Sequence, residues 1–483
     1  MKLIFEKSVK GRLGVTMPER DVPYSIHINP DLLRPAPPAI PELSELDVVR
    51  HYTALSRRNF GVDTNFYPLG SCTMKYNPKI TEKIAALDGF ANLHPLLPQL
   101  RIGGMLTQGA LQLLYETDLL LREINGMDAF TLQPMAGAHG ELTGIMIMAA
   151  YHAAKNNKKT TILIPDSAHG TNPASAAIAG YKVVTVPSDK ITGDITPDTL
   201  RPFLNDEVAG LMMTCPNTLG LFNTHIKDIC DMIHSVDGLM YYDGANLNGI
   251  LAKARPGDFG FDIVHVNLHK TFATPHGSGG PGSGPVGVKQ HLAEYLPVSL
   301  VVKRPDGTYA LEYDRPKSIG YIAPFYGNFG IILRAYVYMR MLGKAGMESV
   351  CENAVLNANY IKAKLKPYYD LPFDHVCKHE CVFSASRQLT AGIHAIDIAK
   401  ALIDRSFHPP TVYFPLIVKE AIMIEPTETE SKETIDAFID AMIEIAELVK
   451  TDPEKIHNCP TTTPVSRLDE TLAAKSPNIA SLT

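Results

Sequence analysis

A lysine and several glycines follow an apolar stretch within residues 262–281, which read DIVHVNLHKTFATPHGSGGP. Residues 263–268 have the composition of a buried strand, which ends at His269 and Lys270. Burial would remove water from the lysine amine, lower its pKa and make it a usable nucleophile. The glycines within 277–282 would let a phosphate approach the main chain closely. A Schiff base with pyridoxal phosphate requires this pairing, whereas a solvated strand end is the alternative for the lysine alone.

Strands and helices alternate through the part of the chain that must position this lysine. The predicted strands are 160–165, 182–186, 210–215, 238–242 and 263–268, and the predicted helices are 106–125, 170–180, 196–204 and 227–235. This alternation indicates an α/β fold with an open, mostly parallel sheet that is covered by helices on both faces. Ligands bind beyond the carboxyl ends of such strands, so the residues directly after each strand are candidates for a site.

Three residues at these strand ends have types that suit the ring of pyridoxal phosphate. Asp243 follows one strand, and a carboxylate there would keep the ring nitrogen protonated. Ala245 is small enough to pack against one face of the ring, and His169 would cover the other face. The alternatives are an aspartate that caps a turn and a histidine that caps a helix.

The phosphate group would need hydrogen-bond donors near the same edge of the sheet. Gly137 and Ala138 belong to a small-residue turn that opens an apolar helix, and free amides at a helix start bind anions. His269 and Thr271 flank the lysine, and we expect both to contact the phosphate. Thr218 follows another strand and is expected to bind cofactor or substrate. A tight packing turn and a simple loop turn are the alternatives for the first and last of these sites.

Composition and charge narrow the functional classes. The 483 residues are 45% hydrophobic and carry a net charge of −6, so no basic surface for nucleic acid or anionic membrane is expected. No apolar run reaches the roughly 18 residues of a membrane helix. The N-terminal sequence MKLIFEKSVKGR does not resemble a secretory signal, so we expect a cytoplasmic protein. The seven cysteines are an odd number, which suits reduced thiols.

The chain is long enough for more than one domain. We expect an extended N-terminal arm over 1–85, a large cofactor-binding α/β domain over 86–325, a smaller C-terminal α+β domain over 326–450 and an extension over 451–483. Helices are predicted in the C-terminal domain at 327–342, 349–365, 396–404 and 434–449, and strands at 381–386 and 421–425.

Histidine and cysteine alternate at His375, Cys377, His379 and Cys381. The alternation predicts a half-buried strand, and a metal site is the alternative. Side chains two residues apart on a strand are separated by about 6.6 Å, which is too far for four ligands of one tetrahedral ion. We therefore predict no metal site.

Several long segments of the chain resemble one known family. They are GSCTMKYNP at 70–78, LQPMAGAHGE at 132–141, DSAHGTNPASA at 166–176, DGANLNGI at 243–250, NLHKTFATPHGSGGPG at 267–282, FYGNFG at 325–330, HPPTVYFPLIV at 408–418 and EPTETESK at 425–432. These motifs are similar to those of the glycine decarboxylase P-protein family, and the match spans nearly the whole chain. Within that family the chain looks like the pyridoxal-bearing subunit 2 of the two-subunit bacterial and archaeal form.

The resemblance implies fold type I of the pyridoxal phosphate enzymes and a role in a glycine cleavage system. By the family pattern, Lys270 forms the Schiff base, and Asp243 and His169 contact the ring. Lys270 is also our candidate for shuttling a proton once its amine is released, because desolvation would keep the amine partly neutral. Glycine would be decarboxylated and its aminomethyl group transferred to the lipoyl arm of an H-protein. The expected partner is a homologous subunit 1 that lacks the lysine, in a heterotetramer with two copies of each subunit.

Three positions depart from the family pattern. Ser278 stands where the family usually has glycine, and Met135 and His139 replace an asparagine and a glutamine of the phosphate turn. Backbone amides can still bind phosphate there, but the side-chain contacts must differ. Two other functions stay open on the residues alone: another fold type I enzyme such as an aminotransferase, and a non-catalytic subunit of the complex.

Overall fold

The computed structural model describes residues 2–23, 28–99, 103–277 and 281–479. The chain divides into two units, one of Met1–Gly61 with Pro464–Thr483 and the other of Val62–Thr463. The larger unit contains every site residue predicted from the sequence.

Apolar and β-branched residues dominate the strands, as their burial requires. The strands of the described residues are β1 (Ala129–Thr131), β2 (Thr161–Pro165), β3 (Lys182–Val186), β4 (Val208–Met213), β5 (Leu239–Gly244), β6 (Ile263–Val266), β7 (Val286–Val288), β8 (Leu300–Lys303), β9 (Tyr309–Glu312), β10 (Cys381–Ser384), β11 (Thr411–Val412) and β12 (Ala421–Ile424).

The helices range from single turns to one element of 37 residues. Within the described ranges the α-helices are α1 (Glu45–Ser56), α2 (Lys79–Ala85), α3 (Asp88–Ala91), α4 (Gly103–Leu106), α5 (Gln108–Asn125), α6 (Gly137–Ala154), α7 (Thr171–Ile178), α8 (Pro197–Leu200), α9 (Ile226–Ser235), α10 (Pro256–Phe259), α11 (Phe329–Leu365), α12 (Ser386–Leu389), α13 (Ala395–Ile403), α14 (Lys432–Thr451), α15 (Pro453–His457) and α16 (Glu470–Lys475). Short 3-10 helices lie at Phe5–Lys7, Pro30–Leu32, Leu97–Gln99, Arg201–Phe203 and Gln290–Tyr295.

The main sheet contains seven strands of the described part of the chain, in the order β1-β7-β6-β5-β4-β2-β3. The five strands from β6 to β3 are parallel, whereas β7 and β1 add an antiparallel edge. The predicted mostly parallel sheet is confirmed. The carboxyl ends of β2, β4, β5 and β6 therefore meet at one edge of the sheet.

Apolar layers cover both faces of this sheet. Successive side chains of a strand point to opposite faces, so the neighbours Tyr241 and Tyr242 of β5 belong to different layers. Tyr241 packs in the layer of Ile145 from α6, and Tyr242 packs in the layer of Leu121 from α5 and Ile332 from α11. Full burial of each such apolar side chain contributes about 1.5–3 kcal/mol relative to exposure. The layers hold α6, whose first turn reaches the candidate site, against the sheet.

A smaller α+β region follows, as predicted. Its sheet has the order β10-β12-β11 and is antiparallel. The second half of α11, together with α13 and α14, packs on this sheet around a separate apolar core. The helices predicted at 327–342 and 349–365 are joined in α11, where Gly343 interrupts the helical conformation with a φ of 59°. Glycine adopts this left-handed conformation without the strain that a Cβ would cause.

Some local predictions differ from the structure. The strand predicted to include His375, Cys377 and His379 is wrong, since β10 begins only at Cys381 and the chain before it is irregular. Residues 1–85 are not extended throughout, because they include the helix α1. This helix begins with a capping box, in which Ser44 and Asp47 cap each other's main-chain N–H groups. The predicted extension over 451–483 contains α15 and α16. The domain boundaries stay predictions.

Two general expectations can be compared with the structure directly. Within the described ranges, no helix combines the length and the apolar composition needed to cross a membrane. The seven cysteines, all of which the structure describes, are free thiols.

Candidate active site

A cavity of about 290 Å³ opens at the edge where the carboxyl ends of β2, β4, β5 and β6 meet. It is the place where an open α/β sheet binds its ligand. The predicted site residues that line it are Lys270, His269, Asp243, Ala245, His169, Thr218, Gly137 and Ala138. Residues outside the predicted cofactor site also line it, among them Ser71, Cys72, Glu141, Thr171, Asn246, Asn267, His276, His379 and Glu380.

A larger cavity of about 390 Å³ lies elsewhere, beside β8 and β9. Its charged residues include Arg122, which pairs with Asp118, and Arg315, which pairs with Glu312. Within each pair the two charges neutralise one another. The cavity is also away from the carboxyl ends of the parallel strands. We therefore assign the candidate active site to the smaller cavity.

Lys270 follows β6 in a short turn and reaches the loop 70–78. Its Nζ donates a hydrogen bond to the carbonyl oxygen of Ser71 at 2.8 Å. The main-chain N–H of Ser71 donates in turn to Oε2 of Glu380 at 2.9 Å. The amine is therefore held in the cavity by a main-chain acceptor whose own position depends on a buried carboxylate.

Asp243 is the last residue but one of β5, and its buried carboxylate faces the same cavity. Its Oδ1 accepts a hydrogen bond from the main-chain N–H of Ala245 at 3.0 Å and lies 3.4 Å from Nε2 of His265. With the amide of Asn172 oriented to donate, its nitrogen is 2.9 Å from Oδ2 of Asp243. These contacts fix the carboxylate at the strand end. Among the described residues, no lysine or arginine forms a hydrogen bond or ion pair with it.

Glu141, on the second turn of α6, is a second buried carboxyl group beside Asp243. Its exposed fraction is 4%. Oε1 is 2.8 Å from Oγ1 of Thr171, and Oε2 is 3.4 Å from Oγ of Ser175 and 3.1 Å from the amide nitrogen of Asn172. Burial, followed by repulsion from Asp243, raises the pKa of Glu141. The two carboxyl groups thus differ in their hydrogen-bond partners. Hydroxyl groups form hydrogen bonds with both oxygens of Glu141, whereas none forms one with Asp243 among the described residues.

His169 lies in the loop between β2 and α7, at the cavity wall. Its Nδ1 is 2.8 Å from Oγ1 of Thr171, and its ring meets the ring of Phe414 edge to face at a centroid distance of 5.8 Å. Removal of water from the ring lowers the pKa of His169, although Asp243 acts in the opposite direction. The loss of water therefore favours the neutral form of the imidazole.

The first turn of α6 forms the anion-binding side of the cavity. The N-cap residue Ala136 offers no side-chain cap, and the main chain of Gly137 and Ala138 lines the cavity. The four N-terminal N–H groups of a helix have no partner within the helix, and the helix dipole adds positive potential there. A Cβ on Gly137 would lie 2.7 Å from Nδ2 of Asn267, so a larger residue at this position would displace the Asn267 side chain.

The residues next to Lys270 have different positions. His269 lines the cavity, and burial, followed by the charge of Lys270, lowers its pKa to about 3. It would therefore offer an anion a hydrogen bond and not a positive charge. Thr271 is buried behind the cavity, where its Oγ1 accepts a hydrogen bond from the main-chain N–H of Leu247 at 2.8 Å. The hydroxyl of Thr218 lines the cavity but donates to the carbonyl oxygen of Ser167.

A pair of buried acids lies behind Ser71. Glu425, from the end of β12, accepts hydrogen bonds from Thr73 and Asn246. Burial, followed by the charge of Glu425, raises the pKa of Glu380, and burial raises the pKa of Glu425. Two carboxyl groups so close and so deeply buried cannot both ionise at low cost, so the pair favours one shared proton.

Two of the three positions that depart from the resembled family, Met135 and His139, lie at the turn before α6 and in its first turn. The main-chain N–H of Met135 donates to Nδ1 of His139 at 3.3 Å, so this histidine side chain folds back onto the turn before α6. Ser278 lies outside the described residues.

The sequence reasoning missed Glu141 and the contribution of the loop 70–78. Glu141 lies inside an apolar helix, and a single acidic residue there indicates a buried polar contact. Its partners Thr171 and Asn172 could have been found because they follow His169 in the same motif. The loop motif GSCTMKYNP was visible, but nothing in its spacing indicates that it would meet residues 199 positions away.

The donor set fits pyridoxal phosphate. The uncapped start of α6 suits the phosphate, the carboxylate of Asp243 suits a protonated ring nitrogen, and the amine of Lys270 lies in the same cavity. Gly137 also packs closely against the side-chain amide of Asn267, which lines the same cavity.

Comparison with known proteins gives a consistent result. Residues 15–311 match the family model of the glycine cleavage system P-protein, and residues 350–463 match that of the glycine dehydrogenase C-terminal domain. A protein of Bacillus licheniformis named probable glycine dehydrogenase (decarboxylating) subunit 2 is 57% identical over 479 residues, which are 98% of this chain and 97% of the relative. A protein of Listeria monocytogenes serotype 4b with the same name is 56% identical over 481 residues, which are 99% and 97% of the two chains.

Solved structures share the fold at low sequence identity. The crystal structure of glycine decarboxylase (P-protein) of the glycine cleavage system in inhibitor-bound form has a TM-score of 0.70 and 20% identity, covering 86% of this chain and 93% of that one. Glutamate decarboxylase of Lactobacillus brevis has a TM-score of 0.63 and 13% identity, covering 93% and 98%. These likenesses confirm the prediction of fold type I of the pyridoxal phosphate enzymes. The extent of the family match and the full-length identity above one half show that this chain belongs to the glycine cleavage system P-protein family.

Proposed function

We propose that this chain is subunit 2 of a glycine dehydrogenase (decarboxylating) that uses pyridoxal phosphate. It would decarboxylate glycine and transfer the aminomethyl group to the lipoyl arm of an H-protein in the glycine cleavage system. The observation that carries the proposal is the shared cavity of Lys270, Asp243 and the start of α6. Family membership and the names of relatives more than half identical over their full length support the same activity.

The residues of the cavity divide the work of holding the cofactor. Lys270 would carry it covalently through its amine, Asp243 would face the ring nitrogen, and the amides of Gly137 and Ala138 would bind the phosphate. His169 and Ala245 would pack against the two faces of the ring. When bound, pyridoxal phosphate supplies an electron sink for a bond broken at the α-carbon of an amino acid. Thr271 fits a supporting role behind the cavity better than direct contact with the phosphate, because its hydroxyl is bound to the main chain.

The chain's own residues would then act on the substrate and its proton. The carboxylate of Asp243 would face the ring nitrogen of the cofactor, and its burial would exclude competing water from that contact. Lys270 would pass a proton to the substrate carbon once its amine is free, and Ser71 offers that amine a hydrogen-bond acceptor. The wall formed by His169 limits the space on one side of the cavity.

The complex would include further proteins. The name of the relatives as subunit 2 supports a partner subunit, and we propose a homologous subunit 1 in a heterotetramer with two copies of each. The lipoylated H-protein would be the second substrate, and the location would be cytoplasmic.

Replacement of Lys270 by Ala tests the proposal. The purified chain is mixed with subunit 1, and the visible absorbance of bound cofactor and the exchange of labelled CO2 into glycine are measured. We expect the variant to lose both signals. Lys253→Ala, which removes a surface lysine paired with Glu352, should retain both.

Three results would reject parts of the proposal. Exchange activity at the wild-type level in Lys270→Ala would remove this residue from the chemistry. Amine transfer to a keto acid in place of CO2 exchange would identify an aminotransferase, and a wild-type chain that does not bind pyridoxal phosphate would identify a non-catalytic subunit.

A further inference from the structure

A relay of three side chains connects the cavity wall to a buried acid. Nδ1 of His169 is 2.8 Å from Oγ1 of Thr171, and the same oxygen is 2.8 Å from Oε1 of Glu141. A threonine hydroxyl has one proton, so it donates to only one of these neighbours and accepts from the other. The direction of this relay therefore depends on which neighbour carries a proton.

The two possible directions give two different forms of the histidine. If Glu141 is ionised, Thr171 donates to it and accepts from a protonated Nδ1, which leaves Nε2 of His169 bare. If Glu141 is protonated, it donates to Thr171, which then donates to an unprotonated Nδ1. The single proton of the neutral imidazole then sits on Nε2.

The surrounding donors distinguish these two cases. The main-chain N–H of Thr171 is 3.3 Å from Nδ1 of His169 and donates to it, which requires Nδ1 to be an acceptor. The Oε2 atom of Glu141 already accepts from Ser175 and has the amide nitrogen of Asn172 at 3.1 Å. Oε1 is therefore the oxygen left to carry a proton toward Thr171.

We infer that protonated Glu141, acting through Thr171, holds His169 as the neutral tautomer with its proton on Nε2. Glu141 and Thr171 are positioning residues in this arrangement. His169 then presents a hydrogen-bond donor at Nε2 and has no free lone pair with which to act as a base. The consequence for catalysis rests on the proposed function, whereas the tautomer itself is a property of the protein alone.

The charged and titratable groups around Glu141 favour its protonated form. Asp243 and Tyr241 face it from β5, and His265 faces it from β6. Lys270, which follows β6, acts in the opposite direction. Burial and the Asp243 charge are the larger influences, and they raise the pKa of Glu141. The hydroxyl groups of Thr171 and Ser175, from α7, also act in the opposite direction, because hydrogen bonds donated to the carboxylate lower its pKa.

The tautomer can be read by nitrogen NMR. The full-length chain is labelled with 15N-histidine and measured by solid-state NMR in complex with subunit 1, first without cofactor and then with pyridoxal phosphate. The chain has 17 histidines, so the His169 signals are assigned by difference from His169→Asn. We expect an unprotonated Nδ1 and a protonated Nε2 in the cofactor-free wild type at neutral pH. A protonated Nδ1 would overturn the inference.

Matched variants test the relay. Glu141→Gln offers a donor and an acceptor in the places of a protonated acid, and Thr171→Ser keeps the hydroxyl, so both should keep the wild-type tautomer. Thr171→Val removes the hydroxyl but keeps the main-chain N–H that donates to Nδ1, so Nδ1 should stay unprotonated while its 15N shift moves with the loss of one hydrogen-bond donor. A change of tautomer in Glu141→Gln, or an unchanged Nδ1 shift in Thr171→Val, would contradict the relay.

Two further measurements separate this inference from the proposed function. Thermal unfolding identifies any variant that has lost its fold. If Thr171→Val is such a variant, the tautomers measured in Thr171→Ser and Glu141→Gln still test the relay. Binding of pyridoxal phosphate and CO2 exchange are recorded separately, because the tautomer is read in the cofactor-free protein. A correct tautomer without cofactor binding would reject only the proposed function.

Discussion

The amine of Lys270 donates a hydrogen bond to the main-chain carbonyl of Ser71, and these residues are 199 positions apart in the sequence. The loop 70–78 is therefore part of the wall of the lysine's cavity. Ser71 has a φ of 61°, a left-handed conformation that a non-glycine residue adopts only where its surroundings impose it. The hydrogen bond from its N–H to Glu380 is the contact that can impose it.

Glu380 is expected to hold this loop in place. Glu380→Ala would leave the N–H of Ser71 without its buried acceptor, which should lower the free energy of unfolding by about 1–3 kcal/mol. Glu380→Gln keeps an acceptor oxygen and should lose less. Urea unfolding of both variants checks the difference, and pyridoxal phosphate binding should weaken in the same order. Equal losses in the two variants would argue against a hydrogen-bond role.

Asp243 is expected to determine cofactor affinity. Asp243→Asn removes the charge that would face the ring nitrogen, so the affinity for pyridoxal phosphate should fall by about 10- to 100-fold, the equivalent of a charged hydrogen bond of roughly 1.5–3 kcal/mol. The measurement is equilibrium titration by cofactor absorbance. Asp258→Asn, at a half-exposed aspartate paired with Arg255, is the control and should bind normally. Normal binding by Asp243→Asn would remove this residue from the site.

The start of α6 is expected to tolerate no side chain at position 137. In Gly137→Ala the new Cβ would lie 2.7 Å from the Asn267 amide, which would force the helix start and Asn267 apart. We expect weaker binding of pyridoxal phosphate and of inorganic phosphate as a competitor. Gly109→Ala in α5 has open space around it and should bind both as the wild type does. Unchanged phosphate competition in Gly137→Ala would place the anion elsewhere.

Lys75, in the same loop as Ser71, forms a buried ion pair with Glu428 at 2.8 Å and also donates to Tyr338. Lys75→Ala would leave the carboxylate buried without its partner, which should cost about 3–5 kcal/mol of unfolding free energy. The neighbouring Lys79 pairs with Asp63 on the surface, so Lys79→Ala should cost about 0–1 kcal/mol. Denaturant unfolding of the two variants checks the contrast, and similar losses would contradict it.

Asp194 is expected to make stability depend on pH. Burial raises its pKa to about 7 from an ordinary value of 3.8, so the folded protein binds this proton more tightly than the unfolded chain does. Its contribution to stability is complete below pH 3.8 and is lost as the pH rises through about 7. Asp194→Asn, which does not titrate, should lose less stability than the wild type over this range. Unfolding measured at several pH values provides the test, and parallel curves would contradict it.

The strand-helix pattern was sufficient to predict the main sheet and the edge where the cavity lies. Asp243 lies at the carboxyl end of a buried strand, and His169 and Lys270 follow two others. Parallel strands bring such residues together whatever their distance in sequence. The contacts of Ser71, Glu380 and Glu425 could not be predicted in this way. They depend on an irregular loop that meets the C-terminal region, and no periodicity fixes where such a loop lies.

The histidine and cysteine alternation shows how a period of two can mislead. Only Cys381 of the four residues belongs to a strand, because His379 and Glu380 turn toward the cavity instead of continuing the sheet. Their burial comes from the site and not from pairing with a neighbouring strand. Thr271 shows a similar limit, since adjacency to Lys270 in sequence did not place its hydroxyl in the cavity.

The contact of Glu425 with Thr73 and Asn246 has a consequence for how substrates enter. Asn246 follows a strand of the main sheet, whereas Glu425 follows a strand of the C-terminal sheet, and their side chains are within 3.0 Å of each other. Opening the cavity by swinging one sheet away from the other would break these buried hydrogen bonds. We therefore expect glycine to enter while both sheets remain docked, through movement of side chains at the cavity mouth.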